Sequence, residues 1–151
     1  MDVTVAGGIG LGDTALETII KEAGEEALLD QDYVQRYIRP VGVLPSLSRS
    51  PGGWILPGIY YLFDLPLPPE GSFLPKTNAL DGEIDKFDLL DVEQVLHRLL
   101  DNSFKPTSAL AIMDLLMRHG YITDETDPRY LDVCQRLKTA LQLPLAWRSH
   151  I

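Results

Sequence analysis

A chain of 151 residues, 45% hydrophobic and 23% charged, has the length and make-up of one globular domain able to bury a core. Its formal net charge of −9 excludes a general affinity for nucleic acid or anionic membranes, which need basic patches. The single cysteine, Cys134, excludes an internal disulfide and fits a reducing compartment, taken here as the cytoplasm, and no stretch approaches the ~18 apolar residues of a membrane span. In chain order, Asp2 to Ala6 reads as a strand that enters the glycine-rich turn Gly7-Gly8-Ile9-Gly10-Leu11-Gly12-Asp13. A helix is predicted from Ala15 to Leu29: Thr14-Ala15-Leu16-Glu17 has the form of a capping box, and Leu16, Ile19, Ile20, Ala23 and Ala27 recur at helical spacing. A short helical or irregular turn from Tyr33 precedes a strand around Ile38 to Val43, and Pro45 to Gly53 reads as a loop. Further strands are expected at Trp54 to Leu65 and Ile84 to Leu89, separated by a long proline-bearing loop, Pro66 to Asp81, of the kind that covers a site. Helices follow over Val92 to Leu100 and Ser108 to His119, with Gly120 as the C′ residue of the second. Asp127-Pro128 offers the N-cap and first turn of a last helix through Leu131, Cys134, Leu137 and Leu141, on whose apolar face Cys134 reads as a structural thiol.

The chemistry concentrates on the first helix. Glu22, Glu25 and Glu26 stand at i, i+3 and i+4 and share one face, at the border of the apolar stripe. Like charges at that spacing repel unless something cationic sits among them. A hard divalent cation, which takes oxygen ligands, answers that need. A solvated acidic face satisfies the same spacing, so spacing alone leaves both readings open. A dinucleotide fold is disfavoured, because Gly8-Ile9-Gly10-Leu11-Gly12-Asp13 ends on Asp where G-x-G-x-x-G needs glycine. Gly24 sits in a helix interior at about 1 kcal/mol relative to Ala, which a close approach by another group would explain.

The segment resembles the Nudix hydrolase signature, G-x5-E-x7-R-E-U-x-E-E-x-G-U. Gly7 matches the opening glycine, Asp13 the first acid, Lys21-Glu22 the Arg-Glu pair, Glu25-Glu26 the paired glutamates and Leu29 the closing aliphatic. Lys21 replaces an arginine and Leu28 stands where the signature has glycine. The later run Tyr60-Tyr61-Leu62-Phe63-Asp64, Phe73-Leu74-Pro75-Lys76, Asp81-Gly82-Glu83 and Phe104-Lys105-Pro106 is similar to Nudix domains associated with thiamine pyrophosphokinase.

The resemblance implies an α+β chain, a Nudix-like α/β/α sandwich with a mixed sheet. Only six residues precede Gly7, so the expectation is a domain over residues 1–145, incomplete at its N-terminus, with a tail over 146–151. An exposed sheet edge would then offer a homodimer contact. The implied activity is hydrolysis of a small-molecule diphosphate, thiamine diphosphate or an oxidised analogue, to the monophosphate. Glu22, Glu25 and Glu26 would hold Mg2+ (or Mn2+), and Glu22, Glu25 and Lys21 would be the catalytic set. Gly7, Gly8, Arg49 and Glu83 are the candidate substrate contacts. Glu83 reads equally as a turn residue of Asp81-Gly82-Glu83, and Arg49 and Lys76 read first as solvated surface cations and only second as phosphate contacts. Trp54, Tyr60, Tyr61 and Phe63 offer stacking faces or core packing. The competing class is a non-catalytic Nudix-like domain that binds a ligand or partner, favoured by Asp13, Lys21 and Leu28. A chain that completes its fold only with another chain is the third reading.

Overall fold

The computed structural model describes residues 1–139. The predicted last turn around Leu141 and the tail 146–151 therefore lie outside the described residues. The order is α1 (Ala15–Ala27), α2 (Gln31–Tyr37), β1 (Arg39–Arg49), β2 (Ile55–Asp64), α3 (Val92–Leu100), α4 (Pro106–Arg118) and α5 (Tyr130–Leu137). This is an α+β chain, as expected. Its sheet, among the described residues, is one antiparallel pair rather than a mixed sheet.

The α1 capping box forms as read. Thr14 Oγ1 accepts from the Glu17 amide at 3.2 Å, and Glu17 Oε2 accepts from the Thr14 amide at 2.9 Å. Ala23 and Ala27 are buried with Leu29, Val34 and Ile38 of the following turn and α2, and Val5, Ile19, Ile20, Phe63, Leu65 and Phe87 pack around them. Leu16, at the start of the predicted stripe, is exposed. The helix stops at Ala27, two residues early, because Leu28 turns left-handed at φ 50°. Both the Leu28 and Leu29 amides then fold back on the Ala23 carbonyl. A Cβ in that conformation costs about 1–2 kcal/mol, which is why glycine suits this place in the signature. A Cβ at Gly24 would meet the flexible end of the exposed Gln31 side chain, Nε2 at 3.0 Å, so the close approach is by a group that can move aside.

β1 runs on to Arg49, so the expected loop from Pro45 is strand instead. The register Val43↔Tyr61, Pro45↔Ile59, Leu47↔Pro57 and Arg49↔Ile55 leaves β1 with one edge unpaired among the described residues, where a proline without an N–H is tolerated. Ser50 to Trp54 makes the turn, with Gly53 at φ 85°. Two other expected strands are irregular. Residues 2–6 send their bonds elsewhere: the Met1 ammonium donates to the Ser103 carbonyl at 2.6 Å, the Lys105 amide to the Met1 carbonyl at 2.9 Å, and the Asp2 carboxylate accepts from Lys105 and Ser108. Residues 84–89 find no strand partner among the described residues, and Phe87 packs on the core. α4 begins two residues early, at Pro106, whose missing N–H suits a first turn, and Gly120 follows it at φ 75°. α5 begins at Tyr130 rather than Pro128. Asp127 spends its side chain on a turn, accepting from the Arg129 amide at 2.8 Å.

Candidate active site

The three α1 glutamates meet three different environments. Glu25 is exposed and its carboxylate pairs with Lys21 at 3.5 Å, one turn back on the same helix. Both partners are more than half exposed, so the pair contributes little. The resemblance implies that Lys21, in the place of the signature arginine, would face Asp13. Asp13 instead stays in its own turn, its amide donating to Gly10 O at 3.1 Å. Glu22 is half-buried and lies against Gly7, where a Cβ would overlap its carboxylate. That close approach is a physical reason for glycine at position 7. Gly8 has open space around its Cα.

Glu26 is the buried member, 7% exposed, and its Oε2 accepts from the Ala6 amide at 3.1 Å. Burial pushes its carboxyl above the usual range, the Ala6 amide works the other way, and the negative charges of Glu22, Glu83 and Asp81 add to the rise. So Glu83, an uncertain turn residue in the sequence, belongs to the electrostatic surroundings of Glu26, and Asp81 with it. The long loop is brought there by α1 itself. Asn78 Nδ2 donates to Glu25 O at 2.7 Å and the Lys76 amide to Ala27 O at 2.9 Å, satisfying carbonyls left over at the helix end.

Sequence reasoning assigned no role to Asp2 or Lys105. Lys105 is bound to Asp2, which above all keeps its ammonium protonated, with Glu26 adding to the effect. Asp2 and Lys105 are 103 positions apart, and no local pattern connects them. Arg49, by contrast, closes β1 at the hairpin tip and forms no ion pair with the α1 carboxylates. Trp54, Tyr60 and Tyr61 are exposed rather than core, while Phe63 packs against the cluster around Ala27.

A second charged group joins the hairpin to α4 and α5. Arg118 forks onto Asp64 at 2.7 and 3.0 Å and donates through Nε to Asp114 at 2.6 Å, while Lys138 reaches Asp114 at 3.4 Å. Burial works against the Asp64 carboxylate, but Arg118 and His119 outweigh it and hold it below the ordinary value. Every acid here is already matched by a base, as in a brace. A cleft of about 270 Å3 beside it includes Cys134, which is half-buried. A wider one, about 570 Å3, opens where Tyr33 stacks on Phe73 at 4.1 Å, among Asp30, Arg36 and Tyr37. Neither is lined by the α1 glutamates.

Oxygen donors alone, and a crowded Glu26 that a cation would relieve, suit a hard metal ion chemically. Among the described residues, however, no three His, Cys, Asp or Glu side chains converge as a ready cage. Glu25 is drawn toward Lys21 and Glu26 toward Ala6.

No protein-family model matches this chain. It is 38% identical to Nudix hydrolase 24, chloroplastic, and 35% identical to Nudix hydrolase 20, chloroplastic, both of Arabidopsis thaliana, in each case over 91% of the present chain. These likenesses support the Nudix family. Uncharacterized protein YJR142W of Saccharomyces cerevisiae is 32% identical over 95% of the chain. The chain spans 36%, 35% and 44% of those three proteins. α1, with Gly7 before it and Leu28 behind it, is the segment that resembles the Nudix signature, and Leu28 is left-handed there. Among the described residues no helix is long and apolar enough to cross a membrane.

Proposed function

We propose that this chain carries the hydrolytic part of a metal-dependent Nudix enzyme that cleaves a small-molecule diphosphate. The substrate class is thiamine diphosphate or its oxidised analogues: water adds to the terminal phosphorus, the bridging P–O bond breaks, and monophosphate and inorganic phosphate leave. The observation that supports this best is the neighbourhood of Glu26, a buried carboxylate pressed by Glu22, Glu83 and Asp81. A folded chain retains such crowding at a stability cost unless the charges have work to do. Glu22, Glu25 and Glu26 would hold Mg2+ or Mn2+, which when bound neutralises phosphate charge and acidifies a water.

The chain's own residues do the rest. Gly7 admits the Glu22 carboxylate close to the turn, and Gly8 leaves the backbone open to a phosphate. Asn78 and the Lys76 amide hold the loop that carries Asp81 and Glu83 against α1, so Glu83 is the candidate general base and Glu22 the alternative. Lys105 supplies a fixed positive charge beside the acids. Phosphoryl transfer needs such positioning and charge balance more than covalent help. In this reading the domain spans residues 1–145, with 146–151 as a tail. The partner is a small diphosphate and not nucleic acid or membrane, in keeping with the charge of −9, and the reducing compartment is the cytoplasm.

A second reading, a catalytically impaired Nudix-like domain that binds a ligand or protein, is favoured by one observation: Lys21 pairs with Glu25 instead of bracing Asp13. Phosphate release from thiamine diphosphate, its oxidised analogues and nucleoside diphosphate derivatives, with and without Mg2+, separates the two. The enzyme reading expects metal-dependent turnover that drops at least about a hundredfold, ~3 kcal/mol of barrier, in Glu22→Gln and Glu26→Gln. Folded protein that turns over none of the panel favours the binding domain.

A further inference from the structure

Asn78 ties α1 to a turn of the long loop, across 53 positions of sequence. Its Nδ2 donates to the Glu25 carbonyl at 2.7 Å, one of those that α1 leaves without a partner at its end. Its Oδ1 accepts from the Leu80 amide at 3.1 Å, and its backbone carbonyl from the Asp81 and Gly82 amides at 3.2 and 3.0 Å. The side chain thereby shapes the turn it stands in. Gly82, left-handed at φ 72°, closes that turn just before Glu83. A carbonyl only accepts and a backbone N–H only donates, so the two ends of the Asn78 amide cannot be exchanged. Aspartate, of the same length, would keep the acceptor and lose the donor; alanine would lose both.

We propose that Asn78 is a positioning residue of the acidic site: one end of its amide holds the turn to α1, the other shapes the turn, and together they keep Asp81 and Glu83 beside the α1 carboxylates. In this role, which rests on the hydrolase reading, Asn78 acts through the turn rather than on metal or substrate. The charges of Asp81 and Glu83 do bear on Glu26, as this placement requires. Position and charge then give opposite signs for a single substitution. Asn78→Asp adds a negative charge near the acids, which by charge alone tightens the binding of a divalent cation. It also sets a carboxylate oxygen against the Glu25 carbonyl, so the turn parts from α1 and takes Asp81 and Glu83 with it. If Asn78 acts by position, Mg2+ binding weakens instead. Asn78→Ala, which adds no charge, weakens it as well. The Lys76 amide bonds Ala27 O at 2.9 Å without using a side chain, so the loop stays attached at its base and the fold tolerates both changes.

Titration calorimetry of the full chain with Mg2+, on wild type, Asn78→Ala and Asn78→Asp, tests this, with far-UV circular dichroism to establish that all three are equally folded. Each variant is expected to bind Mg2+ at least about threefold more weakly than wild type, the scale of one hydrogen bond. Asn78→Asp should be no tighter than Asn78→Ala despite its extra charge. Variants that bind Mg2+ as wild type does, or an Asn78→Asp that binds it more tightly than wild type, overturn the role of Asn78 and leave the hydrolase reading standing. Folded wild type that takes up no Mg2+ overturns the hydrolase reading, and the role of Asn78 falls with it.

Discussion

Glu26 shows how one residue couples folding to charge. Its carboxyl is raised above the ordinary 4.5 by burial first and then, against the Ala6 hydrogen bond, by Glu22, Glu83 and Asp81. A folded-state value above the unfolded one means the native chain holds its proton longer. Its stability contribution is therefore greatest below pH 4.5 and is lost as pH rises through the raised value. Glu26→Gln keeps an oxygen for the Ala6 amide and removes the charge. The variant should match wild type in urea stability below pH 4.5 and exceed it at neutral pH, with Mg2+ narrowing the gap by stabilising wild type alone. Wild type and variant running parallel across that range would show that Glu26 carries no electrostatic burden. The spacing of Glu22, Glu25 and Glu26 was legible in the sequence. Their division into half-buried, exposed and buried was not, because it depends on Ala6 and on a loop more than fifty residues away.

Elements whose formation rests on local chemistry were the readable ones. The Thr14 cap, the apolar stripe of α1 from Ile19 onward and Gly120 at the end of α4 satisfy their bonds within a few residues, whereas the start of α4 lies at Pro106 rather than Ser108. The irregular segments 2–6 and 84–89 have strand-like composition, but a strand exists only with a partner, and composition does not supply one. Pro45 failed as a loop marker for a related reason: on an edge unpaired among the described residues its missing N–H removes nothing from the ladder. The joint between elements is carried by Arg118, which binds Asp64 of β2 and Asp114 of its own helix. Asp114 is 4% exposed, so Arg118→Ala strands a buried carboxylate with Lys138 alone, and should cost ~3 kcal/mol in urea unfolding. Asp64 is held below its ordinary 3.8, so the wild-type advantage should persist above that pH and fade as pH falls through the lowered value. A loss below 1 kcal/mol at neutral pH would reduce Arg118 to an ordinary surface partner.

The described residues gather a small core around Ala23, Ala27, Leu29, Val34 and Ile38, to which α1 contributes its apolar side and the hairpin Phe63. The resemblance to the Nudix signature was readable from α1 and the turn before it, since those residues interact mainly with each other. The surroundings of the site were not, because the charges of Lys105, Asp81 and Glu83 come within range of Glu26 only in the folded chain. The proposed function rests on a concentration of negative charge at α1 that a doubly charged cation would relieve. Titration calorimetry of the folded chain with Mg2+, in the presence of a non-hydrolysed diphosphate analogue, measures that directly. Saturable binding that disappears when Glu22, Glu25 and Glu26 are changed together to Gln is the predicted result; no heat of binding from folded wild-type protein would contradict it.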